Sequence, residues 1–149
     1  MIKILSFVFF SLIFVGQSHA TTKDELVAFV NEAKEFALSS GEESALTEFS
    51  NVSGKFNRGE LYIFAYDYTG TVMAHGAKPA LVGKNLLAIK DTNGVELIKD
   101  MVDVAKGDGS GYVVYSWEHP SEKKVMRKVG YVTKVSDAYW IGSGIYSND

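Results

Sequence analysis

Two segments of the sequence carry the residues that could do chemistry. The first, YDYTGTVMAHG at residues 66–76, contains His75, one of only three histidines. The chain has no cysteine, and no segment has the spacing of a zinc site, a nucleophile elbow or a phosphate-binding loop. A lone histidine is more often structural than metal-binding, and Asp67 is its only plausible catalytic partner. No catalytic residue, metal or cofactor is therefore predicted.

The second segment, residues 115–131, combines aromatic and basic side chains on two predicted strands. By strand alternation, Tyr115 and Trp117 share one face of their strand. On the next strand, Arg127 and Tyr131 share one face while Lys128 points to the other. Aromatic walls with one anchoring cation would suit a small anion such as a carboxylate. The alternative is an aromatic core with a solvated basic edge, and the strand pattern does not separate the two.

A β-hairpin is predicted to position His75. The β-rich run ELYIFAY, the turn DYTG and the run TVMAH form this hairpin over residues 60–75. Met73 and His75 then point to the same face of the second strand. Residues 76–94 form a long connection with one proline and three glycines. Connections of this length in compact domains are often binding loops.

Three helices and three later strands complete the predicted domain. A capping box at residues 22–25 opens a long N-terminal helix, which Gly41 ends, and a short second helix follows. Asp91 or Asn93 caps the third helix, which ends at Gly107. The runs YVVYSWE, KVMRKVGYVTKV and YWIGSGIY are predicted strands. Short links between the strands predict an α+β domain: a five-stranded antiparallel sheet with helices on one side.

A glycine pair stands within the last predicted strand. Gly142 and Gly144 flank one serine in the run YWIGSGIY. Glycine inside a strand marks a β-bulge or a close approach of another group to the backbone more often than a cofactor site. We therefore expect one of these two structural roles here.

The first twenty residues are typical of a secretory signal peptide. Lys3 precedes an apolar run at residues 4–15, and small residues lead to cleavage after Ala20. The alternative, an uncleaved anchor, is disfavoured because the apolar run would span only about 22 Å as a helix, short of the bilayer core. Residues 21–149 then form one domain, periplasmic or secreted. Its acidic balance predicts no general attraction to nucleic acid, and no membrane insertion is expected after cleavage.

Several segments, taken in order, resemble the Cache family. They are YDYTGTVMAHG, LVGKNL, YSWEHP, KVGY and WIGSGIY. The chain is most similar to single-module extracellular sensor domains, over about residues 22–147. The resemblance implies a PAS-like sheet with a long N-terminal helix packed on it, and a binding module rather than an enzyme. Family members commonly sit outside the membrane in chemoreceptors and sensor kinases. Those of the single type often recognise acetate, lactate or pyruvate.

The resemblance also implies where the ligand binds. Tyr115 and Trp117 match the aromatic positions of one family strand, and His75 matches the histidine that ends the second strand. The family usually has proline after that histidine, whereas this sequence has Gly76. Lys128 and Tyr131 match the family's Lys-x-x-Tyr. The candidate ligand-binding residues are Met73, His75, Tyr115, Trp117, Arg127, Lys128 and Tyr131.

Three functions remain open at this point. The chain ends at Asp149, so we expect a free-standing ligand-binding sensor module that acts in signal transduction or chemotaxis with a membrane receptor or kinase. The alternative is a periplasmic interaction subunit without a small ligand, favoured by a filled core between Tyr115 and Trp117 and an exposed apolar patch. An enzyme would need two titratable groups within hydrogen-bond reach, for which His75 and Asp67 are the candidates.

Overall fold

The computed structural model describes residues 19–147. The predicted signal peptide at residues 1–20 therefore lies almost entirely outside the described residues. Across residues 19–147, none of the helices combines the length and the apolar character needed to cross a membrane.

Three α-helices form within residues 19–147, and the capping box sets the start of the first. The helices are α1 at Lys23–Ser40, α2 at Glu42–Phe49 and α3 at Leu97–Gly107. The Thr22 hydroxyl accepts a hydrogen bond from the Glu25 backbone, and the Glu25 carboxylate accepts one from the Thr22 backbone. This reciprocal pair satisfies two backbone donors that the first turn of a helix leaves free.

The third helix starts later than predicted. The Asp91 carboxylate accepts hydrogen bonds from the backbone nitrogens of Asn93 and Val95, at 2.8 and 2.9 Å. Asp91 therefore closes a turn ahead of the helix instead of capping it. The helix begins only at Leu97, so the prediction of a cap at Asp91 or Asn93 is wrong.

The five-stranded antiparallel sheet of the predicted α+β fold is confirmed. From one edge to the other, its strands are β4 (Val72–His75), β3 (Phe64–Asp67), β7 (Tyr139–Ser147), β6 (Val125–Lys134) and β5 (Ser110–Glu118), with every neighbouring pair antiparallel. The run ELYIFAY divides at Ile63 into two strands, of which the first pairs in a separate two-stranded ribbon. That ribbon consists of β1 (Asn57–Arg58) and β2 (Leu61–Tyr62).

Helices cover both faces of the sheet. On β7, the neighbouring residues Trp140 and Ile141 point to opposite faces, and both are fully buried. Ile141 packs in the cluster that includes α1 and α2, whereas Trp140 packs in the cluster that includes α3. The prediction of helices on one side is therefore wrong. A sheet whose central strands are buried on both faces needs a covering layer on each.

A β-bulge reverses the side-chain alternation within the hairpin. Ala65 pairs with Ala74, but Tyr66 pairs with Val72, so Met73 is an extra residue on β4. Met73 packs against the cluster on the α1 face. His75 lies on the α3 face with the residues that line the cavity described below. The predicted shared face of Met73 and His75 is wrong for this reason.

The connection from β4 to α3, residues 76–96, folds back along the hairpin. The Val72 backbone donates to the Lys84 carbonyl at 2.9 Å and accepts from Gly83 at 2.8 Å. Gly70 has a φ of 88°, and a Cβ there would lie 2.6 Å from Leu87, so the turn and this β4–α3 loop need a glycine at their contact. The loop also packs apolar residues against the α3-face cluster, which closes that side of the domain.

Candidate functional site

A small cavity lies between the sheet and α3. Its volume is about 10 Å³, roughly the space that one water molecule needs. A carboxylate of even two carbons is larger, so a wall has to move before such a ligand enters. The cavity is lined by Tyr62, Phe64, Tyr66, His75, Leu97, Ile98, Met101, Tyr115 and Trp117.

Lys128 is a fully buried amine within the aromatic cluster next to this cavity. Its Nζ donates a hydrogen bond to the Tyr62 hydroxyl at 2.8 Å. The same Nζ lies 4.2 Å from the centre of the Tyr62 ring and 4.6 Å from that of Tyr146. Aromatic ring faces attract a cation. Tyr62 lines the cavity and thereby links the buried amine to it.

Lys128 is a buried basic group without an acidic partner among the described residues. Within residues 19–147, no carboxylate oxygen forms a salt bridge with it. Burial lowers the pKa of Lys128 well below its ordinary value, and the charge of Glu60 opposes that shift. A buried amine without a matching anion is unfavourable for folding. An incoming anion would remove this disadvantage.

A directed chain of hydrogen bonds starts at Lys128. The Tyr146 hydroxyl donates to the Glu118 carbonyl at 3.0 Å, which uses its single hydrogen. In the 3.2 Å contact between the hydroxyls of Tyr62 and Tyr146, Tyr62 must therefore be the donor. The chain runs from Lys128 through Tyr62 and Tyr146 to β5. A ligand oxygen can join it by accepting from the hydrogens of Lys128 that Tyr62 leaves free.

His75 is held as a neutral imidazole. Its Nδ1 accepts hydrogen bonds from the backbone nitrogens of Ala77 and Lys78, at 3.3 and 3.0 Å, so the proton resides on Nε2. Burial is the main cause that lowers the pKa of His75 to about 3, and the charges of Lys128 and Lys78 add to it. His75 therefore anchors the start of the β4–α3 loop and contributes one N–H donor at the cavity.

Gly76 allows a backbone hydrogen bond that proline could not make. Its nitrogen donates to the Ile63 carbonyl at 2.9 Å. A Cβ on Gly76 would lie 3.0 Å from Tyr62. The departure from the family's usual proline thus coincides with close packing of the loop against the cavity wall.

The rim of the cavity is closed by contacts between the β4–α3 loop and β5. Lys78 Nζ forms a 3.0 Å salt bridge with Glu118 and lies 5.7 Å from the centre of the Trp117 ring. The Asp91 carboxylate accepts a hydrogen bond from the Ser116 nitrogen at 2.7 Å. Trp117 lies between this salt bridge and this hydrogen bond. Opening the cavity on this side therefore requires the loop and β5 to separate.

Replacing Asp91 by alanine is expected to loosen this closure. It leaves backbone N–H groups of the loop and of Ser116 without their acceptor, which should lower the free energy of unfolding by about 1–3 kcal/mol. Hydrogen exchange of the Ser116 amide should speed up more than exchange in α1. Asp103→Ala is the matched control, since Asp103 forms an exposed salt bridge with Lys99, and it should cost less than about 1 kcal/mol. If urea unfolding showed equal losses of stability in both variants, the assignment of Asp91 as a link between the loop and β5 would be contradicted.

The structure brings together four of the predicted site residues. His75, Tyr115 and Trp117 line the cavity, and Lys128 lies behind Tyr62. Sequence reasoning missed Tyr62 and Tyr146, because each is one aromatic residue at a strand end with no distinguishing pattern around it.

The other three predicted residues lie elsewhere. Arg127 is exposed and donates to the Ser147 hydroxyl at 3.3 Å. The Tyr131 ring packs against that of Tyr112 in a tilted arrangement. Met73 is the bulged residue on the α1 face. Arg127 and Tyr131 do share one face, as alternation predicts, but it is the face opposite Lys128 and the cavity.

Asp67 and His75 are not assembled into a catalytic pair. The Asp67 carboxylate accepts hydrogen bonds from the Thr69 and Thr71 backbones and stabilises the hairpin turn. His75 lies at the other end of the hairpin, opposite Phe64.

The fold is of the PAS-like class: an antiparallel sheet with a long N-terminal helix on one face and a covered aromatic cavity on the other. The sequence profile of the Cache domain family matches residues 24–149. The chain belongs to the Cache family, which confirms the resemblance; that it is of the single-module type stays a prediction.

The relatives are signalling proteins. The chain is 32% identical over 89 residues to the sensor histidine kinase MctS of Rhizobium johnstonii, covering 59% of this chain and 19% of that protein. It is equally identical, over 89 residues, to the methyl-accepting chemotaxis protein McpP of Pseudomonas putida, covering 16% of it. The chain thus spans less than a fifth of the length of these curated relatives.

Solved structures share the fold. A methyl-accepting chemotaxis protein from Vibrio parahaemolyticus is 31% identical, with a TM-score of 0.74 over 85% of this chain and 89% of that one. A Cache chemosensory domain described for carboxylic acid recognition is 23% identical, with a TM-score of 0.63 over 84% and 88%. The chain is therefore a Cache sensor domain related to those of chemoreceptors and sensor kinases.

Proposed function

We propose that this domain binds a small organic acid, an acetate-, lactate- or pyruvate-like carboxylate, between the sheet and α3. The observation that carries the proposal is Lys128, a buried amine beside the cavity without an acidic partner among the described residues. A carboxylate would supply that partner. A structural neighbour described for carboxylic acid recognition supports the same ligand class.

The site offers distinct places for the two ends of such an acid. The carboxylate would accept from Lys128 and, once the present contacts rearrange, from Tyr62 and the His75 Nε2–H. Hydrogen bonds from a charged donor to a carboxylate are among the stronger ones in proteins. The short apolar end would face Leu97, Ile98 and Met101 of α3. The limited space disfavours long acyl chains.

Binding would require a conformational change, and a sensor needs such a change to transmit a signal. Because the cavity has room for only about one water molecule, the acid must displace Trp117 or the β4–α3 loop. Its binding energy would then favour a more open arrangement of the loop. We propose that this change reaches a membrane receptor or kinase, in the same polypeptide or in a partner, and that the domain works in the periplasm or outside the cell. The predicted signal peptide supports this location.

An interaction module without a small ligand is the second candidate. The nearly filled cavity favours it, and so do Tyr112 and Val114 on the edge strand β5, which are each 46% exposed. Lys128 distinguishes the candidates, since a domain that only contacts proteins gains nothing from a buried unpaired amine. We propose no enzymatic activity.

Titration of the domain with a panel of two- to four-carbon carboxylates, which includes acetate, lactate and pyruvate, tests the proposal. Calorimetry should detect binding of at least one of them, and that acid at 100 times its dissociation constant should raise the free energy of unfolding by about 2.7 kcal/mol. Acetamide, which has a similar shape without the charge, is the matched control and should do neither. Absence of both heat and a melting shift for every two- to four-carbon carboxylate would reject the small-acid function in favour of the interaction module.

A further inference from the structure

Three glycines on the central strands lie directly beneath side chains of the cavity face. Gly130 lies on β6, and Gly142 and Gly144 lie on β7. A Cβ on each would lie too close to a side chain of the cavity face: 2.9 Å from Tyr115, 2.6 Å from Phe64 and 2.6 Å from Lys128, respectively. Real Cβ atoms do not approach other atoms this closely, so each glycine makes room for the side chain above it.

The structure decides between the two roles predicted for the glycine pair in β7, a β-bulge and the close approach of another group. The pairing of β6 with β7 runs without a shift from Arg127 opposite Ser147 to Lys134 opposite Trp140, so there is no bulge. The glycines serve the close approach of side chains instead. Ser143 between them points to the other face, where it is buried.

Gly144 lies directly under the aliphatic part of Lys128. A Cβ there would lie 2.6 Å from the Lys128 Cε and 3.0 Å from its Cγ. Both carbons border the space that a Cβ would fill, so the aliphatic part of the lysine passes over Gly144 before its Nζ meets the Tyr62 hydroxyl at 2.8 Å. The lysine is fully buried, and a methyl group on residue 144 would lift it off the sheet.

We propose that Gly144 is a positioning residue, whose lack of a side chain sets Lys128 Nζ against Tyr62 at the cavity. Its consequence for ligand affinity rests on the proposed function, whereas the placement of Lys128 does not. Gly144 acts only through Lys128 and touches no ligand itself.

Gly144→Ala tests the placement directly. In the protein labelled with ¹³C at lysine, the Lys128 Cε resonance should shift, and acetate should bind about tenfold more weakly or worse, the scale of a lost charge-assisted hydrogen bond. Gly107→Ala is the control, since a Cβ at Gly107 meets nothing within 4 Å. An unchanged Lys128 resonance in a folded Gly144→Ala protein would overturn the proposal.

A double-mutant cycle separates the contact of residue 144 with Lys128 from its contact with the backbone. A Cβ on Gly144 would also lie 2.9 Å from the Val129 carbonyl, so part of the penalty is independent of the lysine. Gly144→Ala should therefore be less destabilising in a Lys128→Ala background than in the wild type, as urea unfolding measures it. Equal penalties, or failure of both Gly144→Ala proteins to fold, would assign the glycine to the backbone contact and overturn the proposal.

The two proposals can fail separately. If the wild type binds no carboxylate, the proposed function falls, while the Lys128 resonance and the double-mutant cycle still decide the role of Gly144. If the wild type binds acetate and the cycle shows no coupling, the role of Gly144 alone is rejected.

Discussion

Replacing Lys128 by methionine is expected to weaken carboxylate binding strongly and to leave the domain at least as stable as the wild type. Methionine fills nearly the same volume without the charge. It removes a buried amine that lacks a salt bridge among the described residues. Removing the charged partner of a buried carboxylate should weaken binding by about 2–5 kcal/mol. Folding should be unaffected or gain about 1 kcal/mol, since hydrophobic replacements of buried charges are often stabilising.

Calorimetry with acetate and urea unfolding measure the two effects on one preparation. Lys84→Met is the matched control, because Lys84 is exposed in the β4–α3 loop; it should change neither quantity by more than about 0.5 kcal/mol. Unchanged acetate affinity in Lys128→Met would show that the anion is held elsewhere. A large loss of stability would show instead that the contact of Lys128 with the Tyr62 hydroxyl is chiefly structural.

The elements of the fold could be predicted because their signals are local. The capping box ahead of α1, Gly41 at its end and the alternation in β5 and β6 each depend on residues that are neighbours in the chain. The layer arrangement could not be predicted this way. Which face of the sheet α3 covers depends on packing between distant segments, and the turn at Asp91 uses the same residue type as a helix cap.

The site could be predicted in part for the same reason. Tyr115, Trp117 and Lys128 come together because β5 and β6 pair without a bulge from Ser110 to Glu118. Alternation also places Arg127 on the face opposite Lys128, but the sequence does not say which face holds the cavity, since both faces are buried. The bulge at Met73 leaves no local signal, and it reverses the face of that residue relative to His75.

Acidification from pH 6.5 to pH 5 is expected to destabilise the domain through His75. The pKa of His75 is lowered, chiefly by burial, from 6.5 to about 3. Between these values the unfolded chain binds a proton that the folded domain does not, so stability is fully present above pH 6.5 and is lost as the pH falls. The slope is about 1.4 kcal/mol per pH unit, or about 2 kcal/mol over this range. Most carboxylates titrate at lower pH.

His75→Asn should remove this slope while keeping the loop anchored. The asparagine side-chain oxygen can take the place of Nδ1 as acceptor for the Ala77 and Lys78 nitrogens, yet it does not titrate. Urea unfolding at pH 5, 6 and 7 should therefore show a flatter pH dependence in His75→Asn than in the wild type. All other titratable groups are present in both proteins, so the comparison isolates the contribution of His75. Equal slopes would mean that His75 takes up a proton in the folded domain, and then it would be a cationic donor to a bound acid instead of a neutral one.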